Sequence, residues 1–332
     1  MNRIEMLKNT AEALVPWYEN SGRRLPWRED TDPYHVWVSE IMLQQTRIET
    51  VIPYYLRFLK EIPDIPSLAN ASPEKLEKLW EGLGYYSRVR NLQKAAQQIM
   101  EQHDGAFPET YEEILSLSGI GEYTAGAIAS ICFDLPTPAV DGNVLRVLSR
   151  VLKDDRPISD KLKKDVRAEL AAVYPREKAG ILTQAIMELG EVICIPNGEP
   201  DCVHCLCRGF CSSAQGGWET YPVKPEKKIR RIEDLTVLFL RYEDKIAIRK
   251  RPDKGLLAGM WEFPNCSGHL SGDEALSRAV SWGCRPVRWL DSGAARHIFT
   301  HVEWVMKCYT VICTSPADEF VWVNEHELTE RI

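Results

Sequence analysis

No run of this 332-residue chain is apolar for long enough to span a membrane as a helix, so a helical membrane protein is excluded. The first residues lack the basic-then-apolar pattern of an export signal, and a cytoplasmic, bacterial-type location is expected. There is no internal repeat and no long low-complexity tract, which leaves out arrays and tails. An excess of basic residues is also missing. With 41 Lys and Arg against 48 Asp and Glu, the net charge of -7 argues against a protein that coats nucleic acid indiscriminately. A local basic face is still open, because steering depends on where charges sit. The ten cysteines do not form a spread-out disulfide framework. Several crowd into one short stretch, which suits a reducing compartment and a metal.

What is present fits a soluble globular chain, with 44% hydrophobic and 27% charged residues and length enough for two cores. The first two thirds read as helical. One helix is expected over 1–22, a second over Tyr34–Leu59, further helices punctuated by Pro63, Pro66 and Pro73, another over Leu92–Phe107, and two more within Lys161–Ile193. Leu115–Ile131 places Gly119 and Gly121 on either side of Ile120, ahead of a small-residue helix. This is the pattern of a helix, a tight turn and a second helix whose free N–H groups would hold a phosphate. A structural turn is the plain alternative. Asp141 and Asn143 stand at the start of the next helix, where an N-cap is common. Asp141 is therefore either a cap or a carboxylate at the mouth of a cleft. Glu40 is the one ionisable residue in Val36–Leu43. Set among apolar groups it would keep its proton, as a general acid must; facing water, it would do nothing. Gly82–Arg90 combines a flexible turn with Tyr85, Tyr86, Arg88 and Arg90. Such a stretch can wedge an aromatic between bases while cations touch phosphates, or can simply pack.

Cys194, Cys202, Cys205 and Cys211 have the spacing C-x7-C-x2-C-x5-C, with a fifth thiol at Cys207. Four thiolates this close can surround one metal centre, and both zinc and [4Fe–4S] accept four cysteines. Zinc ribbons generally use two separated C-x2-C knuckles, whereas this group is compact and has one. After a Gly/Pro-containing and basic stretch at 214–234, the period changes from helical to alternating. Thr236–Tyr242 and Lys245–Lys250 read as strands joined at Glu243-Asp244, Asp273–Ser281 as a helix, and Val302–Cys308 and Tyr309–Thr314 as two more strands.

A hairpin L-x-G-I-G-x-Y-T-A followed by V-D-G-N-V resembles the endonuclease III superfamily of DNA glycosylases, and most of all its MutY branch. S-E-I-M-L-Q-Q-T around Glu40, the L-P-W-R loop at Leu25–Arg28, G-Y-Y at Gly84–Tyr86 and the cysteine group agree with it in order. The resemblance implies a multidomain fold: an all-α helix–hairpin–helix glycosylase domain over 1–213, with its hairpin at 113–133 and an iron–sulfur loop at 194–211; a linker at 214–234; and a smaller α/β Nudix-like domain over 235–332. It implies a monofunctional enzyme that hydrolyses the N-glycosidic bond of adenine opposite 8-oxoguanine or guanine in double-stranded DNA, as a monomer and away from membranes. Glu40 would be the acid and Asp141 the stabilising carboxylate, with Asn143 beside it. Tyr123 stands where strand-cutting relatives have a Schiff-base Lys, and a Tyr cannot form an imine. Trp27, Arg28 and Gln184 would border the adenine, while Leu43, Gln45, Tyr85 and Arg88 would meet the DNA with Gly119 and Gly121. Phe299, Thr300 and His301 would read the oxidised guanine, with Thr in place of the usual Ser. Cys194, Cys202, Cys205 and Cys211 would hold a [4Fe–4S] cluster, one residue more than usual lying in the first gap. Residues 268–284 lack the acidic array of a catalytic Nudix helix, so the second domain is expected to bind rather than to hydrolyse. On the same scaffold, a thymine-mismatch or oxidised-pyrimidine glycosylase is the nearest alternative, and a DNA-binding redox sensor is one of a different class.

Overall fold

The computed structural model describes residues 1–225, 230–252, 254–299 and 301–331. It divides into two compact units, Met1–Pro225 and Glu226–Ile332. Among the described residues, the first unit is all-helical: α1 (Arg3–Ser21), α2 (Pro33–Leu43), α3 (Ile48–Glu61), α4 (Ile65–Asn70), α5 (Pro73–Trp80), α6 (Ser87–Gln102), α7 (Tyr111–Ser116), α8 (Glu122–Phe133), α9 (Gly142–Leu152), α10 (Asp160–Ala171) and α11 (Ala179–Val192). Most begin on a side chain suited to the task. Asn2 and Glu5 form a reciprocal capping box on α1, and Asp32, Asp64, Ser72, Thr110 and Ser159 each accept an N–H from the following first turn. Pro33, Pro66 and Pro73 lie in first turns, where a missing N–H costs nothing, so these prolines start helices rather than interrupt them.

The unit has two apolar cores. One gathers side chains from α2 to α8 around the fully buried Trp37, Phe58 and Trp80. The other packs α1 against α9, α10 and α11 around Leu14, Leu148 and Leu182, and takes in Cys207. The helix expected over Tyr34–Leu59 is in fact two. It breaks at 44–47, where Gln45 adopts φ 59°, in the left-handed region.

The second unit is a seven-stranded mixed sheet. Its main order is β3 (Trp261–Glu262), β2 (Lys245–Lys250), β1 (Arg231–Tyr242), β6 (Val302–Cys313), β5 (Pro286–Ile298); β4 (Asn265–Ser267) adds to β1 and β7 (Val321–Val323) to β2. β1 and β6 run parallel, from Arg231 opposite Val302 to Arg241 opposite Ile312, and the other pairs are antiparallel. Helix α12 (Gly272–Ser281) covers a small core with Leu240, Tyr309 and Val311, and α13 (Glu325–Arg331) ends the chain. Three expectations change here. Val302–Cys313 is one strand rather than two, β3, β4, β5 and β7 have no counterpart in the sequence reading, and 231–234, read as linker, begin β1.

Candidate active site and cysteine cavity

Glu40 lies on the last turns of α2, 7% exposed, and accepts a hydrogen bond from the Tyr123 hydroxyl on α8 at 2.8 Å. Burial raises its pKa to about 7; the Tyr123 hydrogen bond pulls the other way, the Asp141 charge pushes it up and Arg28 pulls it down. Burial also lifts the Tyr123 phenol well above its usual value, and the charges of Glu40 and Asp141 add to that. Glu40 is thus not on a water-facing stripe. Asp141 is both of the things the sequence left open. It caps α9, its Oδ1 accepting the Val144 N–H at 2.7 Å, and it faces the cavity that holds Glu40. Burial raises the Asp141 pKa against the opposing pull of two backbone N–H groups and of Arg146. Asn143 donates to Glu191 Oε1 at 2.9 Å on the same rim.

These groups line a cavity of about 760 Å³, together with Trp27, Arg28, Leu43, Gln45 and Gln184. Two of its lining residues, Arg28 and Gln184, are held by side chains the sequence reading missed. Glu188 on α11, 1% exposed, accepts from Arg23 Nε at 2.5 Å and Nη2 at 3.0 Å and from Arg28 Nη1 at 2.8 Å. Tyr18 donates to Gln184 Oε1 at 3.0 Å, and the Arg28 guanidinium lies 5.4 Å from the Tyr18 ring centre. Trp27 is buried edge-on to Tyr55 at 5.5 Å. Glu188 follows Gln184 by four residues, so both point to one face of α11; a carboxylate among Leu182, Ile186 and Leu189 was the available signal.

The DNA-facing expectations divide. Gln45 and Tyr85 are both exposed and both left-handed, with φ 59° and 49°, a conformation that costs non-glycine residues energy and clusters at functional sites. Arg88, expected at the DNA, has both Nη groups bonded within the protein and its Nε buried without a partner. Nη1 donates to the carbonyls of Ile41 (3.0 Å), Met42 (3.1 Å) and Gln44 (2.7 Å), and Nη2 to those of Leu83 (2.8 Å) and Gly84 (3.1 Å). It satisfies carbonyls at the C-terminal end of α2 and ties together the backbone just before each left-handed residue. The glycine turn forms as expected, with Ser118 N–H bound to Gln98 Oε1 at 2.7 Å. Gly119 has φ 75°, and a Cβ there would lie 2.6 Å from the Asn91 Cβ. Gly121 caps α8 without a side-chain bond, and a Cβ there would meet nothing within 4 Å. Arg88 and Gly119 line a separate hollow of about 210 Å³ rather than the Glu40 cavity, while Tyr85 and Gly121 border neither.

The cysteines at 194, 202, 205, 207 and 211 are free thiols around one small cavity, walled by Val147, Leu189 and Trp218. Arg150 donates to Cys194 Sγ at 3.4 Å and to the Ile195 carbonyl at 2.9 Å; Arg146 donates to the Cys194 carbonyl at 2.9 Å. Cys207 is buried in the second core and hydrogen-bonded to Cys205. Among the described residues no three His, Cys, Asp or Glu side chains converge closely enough to hold a single ion. The donor set suits a sulfur-rich cluster: free thiols, a guanidinium on one sulfur, and a buried Ser213 hydroxyl with no partner. In the second unit, the His297 and Phe299 rings on and after β5 meet at a tilt with centroids 4.4 Å apart, Phe299 meets Trp304 edge-on at 4.8 Å, and Arg251 lies 5.2 Å above Trp304. His301 is exposed next to them in sequence; Thr300 lies outside the described residues.

Residues 38–176 match the HhH-GPD superfamily of base excision DNA repair proteins, and residues 236–331 match the NUDIX domain. The adenine DNA glycosylase of Mus musculus is 35% identical, over 90% of this chain and 69% of its own length. That of Buchnera aphidicola (strain Bp) is 36% identical over 76% and 72%. A thermostable thymine-DNA glycosylase superposes with TM-score 0.59 at 23% identity, over 64% of this chain and 97% of that one. Endonuclease III trapped on DNA gives 0.56 at 21%, over 65% and 98%. At those identities the two structures establish the helical fold alone. The relatives establish more: the chain belongs to the adenine DNA glycosylase family and removes adenine from DNA in base excision repair.

Proposed function

We propose that the substrate is adenine opposite 8-oxoguanine or guanine in duplex DNA, and that the chain releases the base by hydrolysis without cutting the strand. The observation that carries this is Glu40, its pKa raised by burial to about 7 and its carboxyl bonded to Tyr123, in one cavity with Asp141. The adenine must leave the stack before any side chain reaches its glycosidic bond. It enters the Glu40 cavity beneath Trp27, Arg28 and Gln184, while Gln45 and Tyr85 fill the space it leaves. The first turn of α8 holds backbone phosphate through N–H groups that no side chain caps. Glu40 gives its proton to adenine N7, which makes the base a better leaving group. The sugar becomes positive as the bond breaks, the Asp141 carboxylate stabilises that charge, and water adds to C1′, giving up a proton that restores Glu40. Asn143 fixes the rim of the site through Glu191. Tyr123 leaves no amine for a Schiff base, so the product is an intact strand with an abasic site.

Cys194, Cys202, Cys205 and Cys211 hold a [4Fe–4S] cluster, which when bound ties their loops together and provides a redox-capable centre. Phe299 and His301, with Thr300, read the oxidised guanine, supported by the edge-on packing of Phe299 against Trp304. The enzyme works as a monomer in the cytoplasm; among the described residues no helix is long and apolar enough to cross a membrane. The test is adenine release from short duplexes carrying A opposite 8-oxoguanine, G, C or T, with strand breaks scored before and after alkali. Release opposite 8-oxoguanine and G, with breaks only after alkali, is expected. No release from a folded, brown preparation would overturn the substrate assignment.

A further inference from the structure

The cavity shared by the five thiols contains one polar group with nothing to bond. Ser213 is 1% exposed, and its hydroxyl is buried without a hydrogen-bond partner. Native proteins rarely leave a buried hydroxyl unpaired, and each such group marks a missing acceptor. The residue is turned toward sulfur, since its backbone N–H already bonds the Cys211 thiol. A lone water is a poor substitute, because it needs two to four polar partners. The walls supply mainly carbon and sulfur, and Arg150 is already engaged with Cys194 Sγ at 3.4 Å and the Ile195 carbonyl at 2.9 Å.

We infer that the Ser213 hydroxyl donates a hydrogen bond to a sulfur of the iron–sulfur cluster. Ser213 and Arg150 are then two donors to the cluster's sulfur shell, the first neutral and the second cationic. The inference rests on the cluster assignment above. A donor to sulfur withdraws electron density and favours the more reduced state, so it resists loss of an electron. Ser213 is a positioning residue for the cluster and touches no reacting atom of the DNA.

The experiment uses the full chain, purified without oxygen, with iron and acid-labile sulfide counted and the visible absorption followed as ferricyanide removes electrons. Ser213→Ala should load iron as the native chain does but bleach about five-fold faster, the weight of one hydrogen bond. Its reduction potential should shift negative. Ser213→Thr, which keeps the hydroxyl, should track the native chain, as should Ser212→Ala at the exposed neighbour. Loss of iron from Ser213→Ala with retention in Ser213→Thr also supports the inference, whereas loss from both marks a packing role and overturns it. Equal bleaching and equal potential in Ser213→Ala and the native chain overturn it while leaving the cluster assignment standing. A native chain that carries zinc or no metal overturns both.

Discussion

Glu40 concentrates the conflict between stability and chemistry in one side chain. Its carboxyl is protonated below about 7 because it is buried, and a general acid is useful only in that form. Adenine release at saturating DNA should therefore fall as pH rises through about 7, and fall again in acid as Asp141, whose pKa is also raised, takes up a proton. A pH–rate profile flat from 6 to 9 would contradict the assignment. The same shift sets a stability term. The folded protein holds a proton on Glu40 that the unfolded chain, near 4.5, gives up, so stability is lost as pH climbs from 4.5 toward 7. A raised value near 7 corresponds to about 3 kcal/mol of lost stability at alkaline pH. Glu40→Gln, which keeps an acceptor for Tyr123, should denature later than the native chain at pH 8 and about equally at pH 4.5, while losing on the order of 100- to 10,000-fold in base release. Urea titrations at the two pH values check this. From its neighbours alone, Glu40 could not be told from a solvated carboxylate, because its partner Tyr123 lies far along the chain; the MutY-like motif supplied the role, and the fold supplied the environment.

At the level of elements, the hairpin and the helix break carry separate predictions. Gly119→Ala forces a side chain into left-handed backbone and against Asn91, and should cost about 2 kcal/mol or more. Gly121→Ala meets open space, should cost less than about 1 kcal/mol, and should weaken duplex binding by blocking the approach of phosphate. Thermal melts and binding isotherms on the two variants separate fold from contact; equal behaviour would sink the distinction. Arg88→Met leaves several carbonyls unsatisfied and should destabilise by about 3 kcal/mol, where a surface phosphate contact would cost almost nothing. The hairpin was legible because Gly-x-Gly imposes its turn locally. The break at 44–47 was not, since Gln44, Gln45 and Thr46 are no helix breakers and the interruption is tied down by Arg88 from another helix. β5 was hidden for a different reason. Almost all of it is exposed, with Arg288, Asp291, Ser292, Arg296 and His297 along it, so no alternation of apolar residues announces a strand. β6 looked like two strands because Glu303, Lys307 and Thr310 interrupt its apolar residues and nothing local marks where pairing begins or ends.

The whole molecule pairs a helical unit that owns its two cores with a sheet unit that owns a third. A chain ending at Pro225 should therefore fold, keep adenine release opposite G, and lose its preference for 8-oxoguanine; retention of that preference would place lesion reading in the helices. The chain's net charge of -7 was a poor guide to a DNA enzyme. The proposed contact with the duplex rests instead on a few backbone N–H groups and two exposed side chains. Those two side chains, Gln45 and Tyr85, are separated by forty residues, yet one guanidinium grips the peptide just ahead of each. The two left-handed residues are consequently anchored to one another through a single side chain. In the complex proposed above, their spacing would be set by the folded protein before any duplex arrives.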